Sequence, residues 1–559
     1  MRKHSVEGDV RIHAIAGSHV VTFGFDWPEQ RADELQGFAL HRTDHLTGKS
    51  DWIEAQKRYL STDPGTALGE KVSTRFHPVQ SFLWADYSVQ PGRKYTYRVV
   101  ALGGTPQKLE ELGEASVSLY TASTTASGHA VHFNRGAVAA QEYARRFKNK
   151  APDDVANGRA FEWLSRGLCE ALTGFIDDAQ QGDALYVAIY EARHDTPLEA
   201  LARAVARGVS VQIVFDAKDN GDTDEAPFPR DENVDHLEAR GLLDIATARS
   251  RNPSYLAHNK FIVLERNGAP ESVWTGSTNW SENGFYGQLN LGHVVRDPTV
   301  AESFLEYWKL LQQDLSAEDL RDKLQNAFPV RDSWPAGTSA VFSPLQGRKA
   351  LDRYIETTLG AEAVLITLAF SLDDKLASSL KTGSTGLRYV LMDGVKGKKA
   401  LVEKISKAVR DIRAAEAGRV AIGAYLRGNA LDQFLVERSN AMASHVQYIH
   451  TKFLLVDPLG DNPVVITGSA NFSDSSCNKN DENMLVIAGD QEVADIYLGE
   501  FMRSYSHYAF RDAVESARKA GRPFEPKPLN EDCSWAQEHY GSGFKSRQRR
   551  YFAHGRIGP

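Results

Sequence analysis

The sequence predicts an α/β protein of two pseudo-symmetric halves packed face to face, preceded by a small all-β sandwich domain. Three observations predict this fold. β-rich runs fill the first 125 residues, strand and helix patterns alternate from about residue 131, and one polar motif occurs twice. We expect the domains at 1–125 (sandwich), 130–325 (first half), 330–515 (second half) and 516–559 (basic C-terminal tail).

The N-terminal segment has the pattern of an antiparallel β domain. The runs "SHVVTFGFDW", "GFALHRTD", "RKYTYRVVALGG" and "ASVSLYTAS" are rich in β-branched and aromatic residues, and turn residues separate them. The phrase "PGRKYTYRVVAL" resembles the late strand of a fibronectin type III sandwich, in which Tyr and Val side chains alternate into the core. We expect this domain to contact a protein or another surface.

The rest of the chain follows a strand–helix–strand order. "DALYVAIYEA" and "VSVQIVFDA" are predicted strands, and "TPLEALARAVARG" between them has apolar residues at helical spacing. "EAVLITLAF", "LDDKLASSL" and "GLRYVLMDG" repeat this order. Each unit ends in an aromatic-rich amphipathic helix, "AESFLEYWKLLQQDL" or "VADIYLGEFMRSYSHYAF". This alternation predicts sheets covered by helices.

Composition indicates a globular protein, with 42% hydrophobic and 25% charged residues in 559. No apolar run approaches the roughly 18–20 residues of a membrane span, and the start lacks the apolar segment of a signal peptide. Cys169, Cys477 and Cys533 are too far apart to suggest a disulfide framework or a zinc site. We therefore expect a reducing, cytoplasmic setting.

Charge bears on the class of partner. The net charge of −8 argues mildly against a dedicated duplex-DNA binder, because such proteins are usually basic. The end of the chain, 541–559, carries five basic residues and no acid. This composition predicts a solvated tail, with contact to an anionic lipid surface or nucleic acid as the alternative.

The repeated motif is the most informative feature of the sequence. "AHNKFIVLERNGAPESVWTGSTNWS" starts at residue 257 and "IHTKFLLVDPLGDNPVVITGSANFS" at residue 449. One His-x-Lys arises by chance in a chain of this length, but two copies followed at the same distance by Gly-Ser-x-Asn do not. The repeat predicts a duplicated domain about a pseudo-two-fold axis. The positions that keep the offset of 192 are His258 and His450, Lys260 and Lys452, Glu265 and Asp457, Gly276 and Gly468, Ser277 and Ser469, and Asn279 and Asn471.

These residue types suit the binding of a phosphate. Residues two apart on a strand share a face, so the histidine and lysine of each motif point to the same side. A lysine beside a histidine repels a metal cation, and neither motif supplies further ligands, so a metal is disfavoured. Lysine offers positive charge, asparagine offers an amide donor, and a Gly-Ser turn lets the backbone approach a phosphate.

Two such half-sites around one phosphate can carry out a two-step displacement. One imidazole attacks phosphorus while the other, as imidazolium, protonates the leaving oxygen. The roles then reverse on water. The lysines and asparagines stabilise the charge that develops on the phosphoryl oxygens, and the reaction requires no metal or cofactor.

Both motifs resemble the signature of the phospholipase D superfamily, HxKxxxxD followed by GSxxN-like residues. The second copy matches it, and the first departs only at Glu265, which keeps a carboxylate, so we expect activity to survive. The resemblance covers roughly 130–515. It implies α-β-α sandwich halves and a phosphohistidine on the first half, with His258 as nucleophile and His450 as general acid and base, complete in a monomer.

An acidic residue breaks the symmetry of the repeat. Continuing the register places Glu482 where the first half has Asn290. The resemblance implies that an acid near this position orients the histidine of the opposite half. Glu482 is then expected to fix the tautomer of His258 and to stabilise its charged form. The alternative is a surface loop residue.

The pattern predicts other roles for the remaining residues of the two motifs. Glu265 and Asp457 lie seven places from their histidines, so strand parity turns them away from the site and predicts structural roles. Ser277 and Ser469 either bind the phosphate or shape the turn.

Residues near the motifs are predicted to be structural. Trp280 and Phe472 follow the asparagines and are expected in the core, and His293 and His445 are expected to be structural histidines.

Three functions remain open on the sequence. The leading one is hydrolysis or transfer of a phosphatidyl group. The second is cleavage of DNA or RNA, because "GSANFS" and "NKNDEN" look like the motif tail of the small dimeric nucleases of the superfamily. The third is a non-catalytic scaffold, although inert members typically lose a histidine or lysine that this chain keeps.

Overall fold

The structure is a computed structural model. It describes residues 1–65, 70–124, 128–136, 140–148, 150–219, 228–251, 255–369, 372–382, 385–394, 399–423 and 449–558. His445 and the residues 125–127 before the first half lie outside the described residues. None of the described helices is long and apolar enough to span a membrane.

Two antiparallel sheets form the N-terminal domain. Its strands are β1 (Arg2–Glu7), β2 (Val10–Ala16), β3 (Val21–Asp26), β4 (Gly37–Asp44), β5 (Ser50–Trp52), β6 (Glu54–Ala55), β7 (Val72–Ser73), β8 (Leu83–Asp86), β9 (Lys94–Thr105) and β10 (Lys108–Tyr120). The sheet orders are β1-β2-β3-β8 and β10-β9-β4-β5. Phe23, Phe25, Trp27, Phe38 and Tyr97 fill the core between them, which confirms the predicted β-sandwich.

The first α/β half is built on one mixed sheet. Its elements are β11 (His129–Phe133), α1 (Ala140–Phe147), α2 (Arg159–Ser165), α3 (Leu168–Asp177), β12 (Ala184–Ile189), α4 (Asp195–Ala206), β13 (Ser210–Asp216), α5 (Arg230–Glu238), β14 (Ala246–Arg249), β15 (Lys260–Arg266), β16 (Ala269–Gly276), β17 (Leu291–Val295), α6 (Pro298–Gln312) and α7 (Ala317–Ala327). The described strands follow the order β11-β17-β16-β15-β12-β13-β14. β12, β13 and β14 run parallel, and the other pairs are antiparallel.

The second half repeats this sheet strand for strand. Its elements are β18 (Gly337–Ser343), α8 (Lys349–Thr357), β19 (Ala363–Leu368), α9 (Asp374–Lys381), β20 (Leu387–Met392), α10 (Lys399–Ala414), β21 (Gly418–Ile422), β22 (Phe453–Val456), β23 (Val464–Gly468), α11 (Asp474–Asn478), β24 (Glu482–Ala488) and α12 (Gln491–Lys519). The order is β18-β24-β23-β22-β19-β20-β21. Each strand takes the place of its counterpart in the first half, which confirms the predicted duplication of the fold.

The two halves share one hydrophobic core. Helix α6 of the first half packs against its own sheet and against β18 of the second, and α12 packs against β11 and the second sheet. Aromatic rings join across this interface: Phe304 meets Phe342, and Phe133 meets Tyr497 with ring centroids 5.4 Å apart. The sheets therefore face each other through α6 and α12, as the predicted face-to-face packing requires.

The C-terminal segment is packed against the protein, and the expectation of a solvated tail is wrong. Helix α13 (Phe544–His554) buries Phe544, Tyr551 and Phe552. Two of its basic residues, Arg549 and His554, contact Asp26 of the sandwich. Apolar residues spaced along one face of α13 drive this packing, and composition alone did not reveal them.

A glycine fixes the contact between α13 and the sandwich. The imidazole of His13 donates from Nδ1 to the carbonyl oxygen of Phe552 over 2.7 Å. In the neighbouring strand, a Cβ atom on Gly24 would lie 2.1 Å from the carbonyl carbon of Phe552. Only a residue without a side chain permits the backbone of α13 to approach β3 this closely.

Replacing Gly24 should therefore separate α13 from the sandwich. We expect Gly24→Val to lower the free energy of unfolding by about 3 kcal/mol or more, because backbone atoms cannot move aside as a flexible side chain can. Thermal and urea denaturation measure this. Gly113→Ala in β10 is the control, since its Cβ would lie an ordinary 3.5 Å from Val10 Cγ2. Equal stability of the two variants would contradict this contact.

Candidate active site

The two motifs meet where the halves join. The residue before each motif histidine forms a parallel bridge with the opposite half, Ala257 with Asp481 and Ile449 with Leu289. The amide of His258 donates to the carbonyl oxygen of Asp481 over 2.9 Å, and the amide of His450 donates to that of Leu289 over 3.0 Å. Each histidine is thus fixed by backbone hydrogen bonds to the half that does not carry it.

The structure places Glu482 against His258, the contact that the family resemblance implies. His258 Nδ1 lies 2.9 Å from Glu482 Oε2, and both side chains are buried. Ser469 Oγ donates to the same oxygen over 2.8 Å, and Asn480 Nδ2 donates to Oε1 over 3.2 Å. Because an ionised carboxylate only accepts, the Nδ1 of His258 carries the proton and Nε2 is the basic nitrogen.

His450 has an equivalent but uncharged partner, Asn290. His450 Nδ1 lies 2.9 Å from Asn290 Oδ1, which also accepts from Ser277 Oγ over 2.8 Å. Asn290 Nδ2 donates to the carbonyl oxygen of Gly284 over 2.9 Å, which fixes the orientation of the amide. Sequence reasoning identified the position of Asn290 but did not assign it a role. The offset of 192 from Glu482 was the signal that could have done so.

The motif lysines are buried beside their histidines. Lys260 Nζ donates to the carbonyl oxygen of His258, and Lys452 Nζ to that of His450, each over 2.7 Å. The ring of Tyr190 lies 5.0 Å from Lys260 Nζ and 4.9 Å from the ring of His258. Tyr190 follows β12 and was not singled out in the sequence, because no counterpart of it stands in the repeated motif.

The motif asparagines each have unused hydrogen-bonding capacity. The Oδ1 atoms of Asn279 and Asn471 are buried and, within the described ranges, have no hydrogen-bond partner. Buried amide groups are normally satisfied, so these two oxygens can still accept a hydrogen bond from a bound group or a water molecule. The oxygen and nitrogen of an amide exchange by rotation about one bond, so either atom can face that ligand.

The site concentrates positive charge in a dry environment. Burial lowers the pKa of Lys260 to about 7, although Glu482, Glu191 and Asp216 raise it. Burial and then Lys260 lower the pKa of Lys452 well below its ordinary value. Two ammonium groups this close repel each other and favour the binding of an anion between them.

The same field acts on the imidazoles. Burial lowers the pKa of His258, an effect that Glu482 opposes and Lys260 reinforces. Burial also lowers the pKa of His450 well below its ordinary value, and Lys452, Lys260 and His258 lower it further. The mutual influence of the motif residues means that both pairs lie in one electrostatic environment, which a phosphate would neutralise.

The hydroxyl groups of the motif serines form hydrogen bonds within the protein. Ser277 and Ser469 are fully buried, and their hydroxyls donate to Asn290 and Glu482. Each hydroxyl also accepts from the backbone of the next strand, Leu291 N over 3.1 Å and Asn483 N over 3.0 Å. Of the two expected roles, these contacts favour shaping the turn over binding the phosphate, because the turn directs the side chains of both serines toward the neighbouring strand.

The motif carboxylates lie away from the histidines. Asp457 ends its strand with φ of 45°, and its Oδ1 accepts from the amide of Ala363 over 2.8 Å. Glu265 raises the pKa of Tyr186 after the larger effect of burial, which places it beside that strand residue. Both contact the neighbouring strand, β19 or β12, at the end of the motif strand far from His258 and His450.

The flanking residues that the sequence assigned to the core are buried. Trp280 and Phe472 are 1% and 3% exposed. His293 lies 3.0 Å from the hydroxyl of Tyr497 and 2.9 Å from His129. In the described part of the chain, His, Cys, Asp and Glu do not gather in groups of three that could hold a metal ion.

The paired motif and the duplicated sheet define a two-domain protein of the phosphodiester-acting class. Residues 172–311 and 394–505 match the family model described as "Cardiolipin synthase, PLD-like domain". These two regions contain both motif copies. The two α/β halves therefore resemble phospholipase D-like domains.

Solved structures with similar folds differ widely in sequence. Phosphatidylserine synthase of Haemophilus influenzae Rd KW20 is 13% identical over 60% of this chain and 84% of its own, with a TM-score of 0.44. Nuc, a phospholipase D family member of Salmonella typhimurium, is 23% identical over 26% and 86%, with a TM-score of 0.21.

A third solved structure matches the chain in part, and the comparison with curated proteins found no match. Polyphosphate kinase of Porphyromonas gingivalis is 12% identical over 58% of this chain, with a TM-score of 0.37, and the match spans less than half of that kinase, 46%. None of the curated proteins compared with the chain matches it.

The positioning role of the serines has a kinetic signature. We expect Ser469→Ala to lower kcat about tenfold with KM nearly unchanged, because one hydrogen bond to a buried carboxylate is lost and no substrate contact is. Steady-state hydrolysis of a p-nitrophenyl phosphodiester measures both constants. Ser475→Ala in α11 is the control. A rise in KM at constant kcat would restore the substrate-binding assignment.

The pKa shifts predict the pH dependence of kcat/KM. His258 must be neutral to react, and its pKa lies below the ordinary 6.5, whereas Lys260 is charged only below about 7. Activity should therefore fall at low pH as His258 becomes protonated, and fall at higher pH as His450 and Lys260 lose their protons. Glu482 raises the pKa of His258, so Glu482→Gln should move the acid limb to lower pH. Glu265→Gln is the control, and an acid limb that stays in place in Glu482→Gln would contradict the assignment.

Proposed function

We propose that the protein is a metal-independent phosphodiesterase that hydrolyses or transfers a phosphatidyl group through a phosphohistidine intermediate. One observation carries this proposal. Two buried imidazoles from separate halves each have Nδ1 held by an acceptor of the other half, with a buried lysine beside each. This set supplies a nucleophile, a proton donor and anion-binding groups around one phosphorus atom.

In the first step, His258 Nε2 attacks phosphorus and a P–N bond forms while the bond from phosphorus to the leaving oxygen breaks. His450, as imidazolium, gives its proton to that oxygen. Glu482 stabilises the positive charge that develops on His258 as it attacks. Lys260 and Lys452 bind the non-bridging oxygens, together with the amides of the motif asparagines.

In the second step, water attacks phosphorus and the P–N bond breaks. His450, now neutral, accepts the proton of the water, and His258 regains its lone pair. An alcohol in place of the water gives transfer instead of hydrolysis. Because one chain supplies both imidazoles, this cycle does not require a second copy.

The unequal partners of the two histidines support their division of roles. An anionic carboxylate stabilises a permanently cationic phosphohistidine, so the histidine beside Glu482 suits the nucleophile. Burial and the two motif lysines lower the pKa of His450, and the neutral amide of Asn290 supplies no charge to oppose them, so its imidazolium releases a proton readily.

Two substrate classes fit this chemistry. The family description of the matched regions, a cardiolipin synthase domain, supports a phosphatidyl group as the group transferred. The second candidate is cleavage of nucleic acid. An arginine-rich cleft between the sandwich and the α/β halves favours it, since such clefts suit a phosphate backbone.

The test separates the two histidines. A p-nitrophenyl phosphodiester needs no acid catalysis to leave, so His450→Ala should release a burst of about one p-nitrophenolate per chain and then stall on phosphorylated His258. His258→Ala should show no burst, and His4→Ala in the sandwich should behave as the natural protein. A burst from His258→Ala alone would reverse the roles.

The same assay tests the metal-free reaction. Addition of EDTA should leave the rate unchanged, because the proposed groups are all side chains of this protein. Loss of activity on chelation, restored by a divalent cation, would contradict it.

A further inference from the structure

A large cleft lies between the β-sandwich and the α/β halves, away from the paired histidines. Its volume is about 1,070 Å³. The sandwich contributes one wall, with residues of β4, β5, β8 and the loops beside them. The opposite wall comes from α1, α2 and one face of α12. Neither the catalytic proposal nor the sequence motifs account for this cleft.

The cleft is rich in positive charge on its α/β wall, whereas on the sandwich wall three cations are matched by three carboxylates. Among its described lining residues, nine are lysine or arginine and four are aspartate or glutamate. Lys49 and Lys71 lie on the sandwich wall, and Arg145 and Arg146 project from α1 on the other. The side chains of Arg145 and Arg146 are 59% and 55% exposed and share one carboxylate, Glu142.

The inner end of the cleft holds a compact cluster of arginines. Arg166 and Arg503 both pair with Glu500, whose pKa they hold at about 2 although burial raises it. The guanidinium of Arg135 lies 4.7 Å from the ring of Trp163 and donates to its carbonyl oxygen. Burial and the neighbouring arginines lower the pKa of Arg135 to about 10, as expected where cations outnumber anions.

The shape of the cleft selects among anionic ligands. A flat lipid bilayer cannot enter a concave site between two domains. Pockets for single small molecules span roughly 300–1,000 Å³, and this cleft lies at the upper end of that range. A flexible chain of phosphates with planar groups between them fits both the volume and the aromatic residues of the walls, Trp84, Tyr87 and Phe510. Tyr87 is 47% exposed and available for stacking.

We propose that this cleft binds single-stranded nucleic acid through its phosphate backbone. The inference does not depend on catalysis by His258 and His450. If nucleic acid is also the substrate, the cleft holds the strand near the site; if it is not, the cleft is a separate binding site.

Hydrogen bonds connect the cleft to the proposed active site. Arg503 Nη2 donates to the carbonyl oxygen of Asn134 over 3.2 Å. The side-chain oxygen of Asn134 accepts a hydrogen bond from the backbone amide of Asn290 over 2.9 Å. The side chain of Asn290 is the partner of His450. A strand bound at the arginine cluster would therefore contact Arg503, which is linked through Asn134 to the partner of the general acid.

The test measures binding of a fluorescent oligothymidylate to the full chain by anisotropy. We expect Arg145→Ala/Arg146→Ala to weaken binding at least tenfold, and to reduce the slope of log affinity against log salt by about 1.4, since two phosphate contacts are lost. Lys49→Ala/Lys71→Ala on the opposite wall should weaken binding as well. Lys404→Ala/Lys407→Ala on α10 removes two cations elsewhere and should change neither quantity.

Further measurements distinguish this site from the catalytic site, and they distinguish single-stranded nucleic acid from other ligands. His258→Ala should bind the strand as the natural protein does, even if it is inactive. Absence of binding at low salt, equal losses in the cleft and α10 variants, or tighter binding of duplex than of single strand would each overturn the proposal. So would release of the strand by anionic lipid vesicles at matched phosphate concentration.

Discussion

The arrangement of the whole site depends on one constraint: each imidazole is held by the half of the protein that does not carry it. Glu482 and the carbonyl of Asp481 fix His258, and Asn290 and the carbonyl of Leu289 fix His450. Neither half can orient its own histidine. The shared core around α6 and α12 is therefore as much a part of the site as the motifs, because any shift between the sheets would move both rings relative to their partners.

Buried polar contacts add to the apolar core in fixing this register. Thr275 of the first half donates to Asn483 of the second, which in turn donates to Asn259 over 2.8 Å. Asn259 contacts the hydroxyl of Tyr307, which donates to Ser343 over 2.8 Å. Apolar surfaces tolerate sliding, whereas a buried hydrogen bond lost in sliding costs about 1–3 kcal/mol. This series of buried hydrogen bonds therefore selects one relative position of the two halves.

Sequence patterns predicted what is periodic or repeated. The strand–helix order predicted both sheets, and the offset of 192 predicted their equivalence. The contact between Glu482 and His258 was expected from the resemblance to the phospholipase D superfamily. Features set by tertiary packing were not predictable in this way. The direction of the Ser277 and Ser469 hydroxyls depends on a neighbouring strand, and the packing of α13 depends on Gly24, far away in the chain. The walls of the basic cleft come from different domains, and no local sequence pattern shows that these domains lie side by side.

The unequal partners Glu482 and Asn290 also bear on how such a protein can evolve. In an assembly of two identical subunits, every substitution appears twice, so both rings would acquire the same acceptor and the same acidity. Fusion of two copies into one gene removes that restriction. One ring can then keep an anionic neighbour while the other loses it, and selection can tune the two proton affinities independently. The covalent link between the halves thus permits a division of labour that a symmetric ancestor could reach only transiently, as bound substrate broke its symmetry.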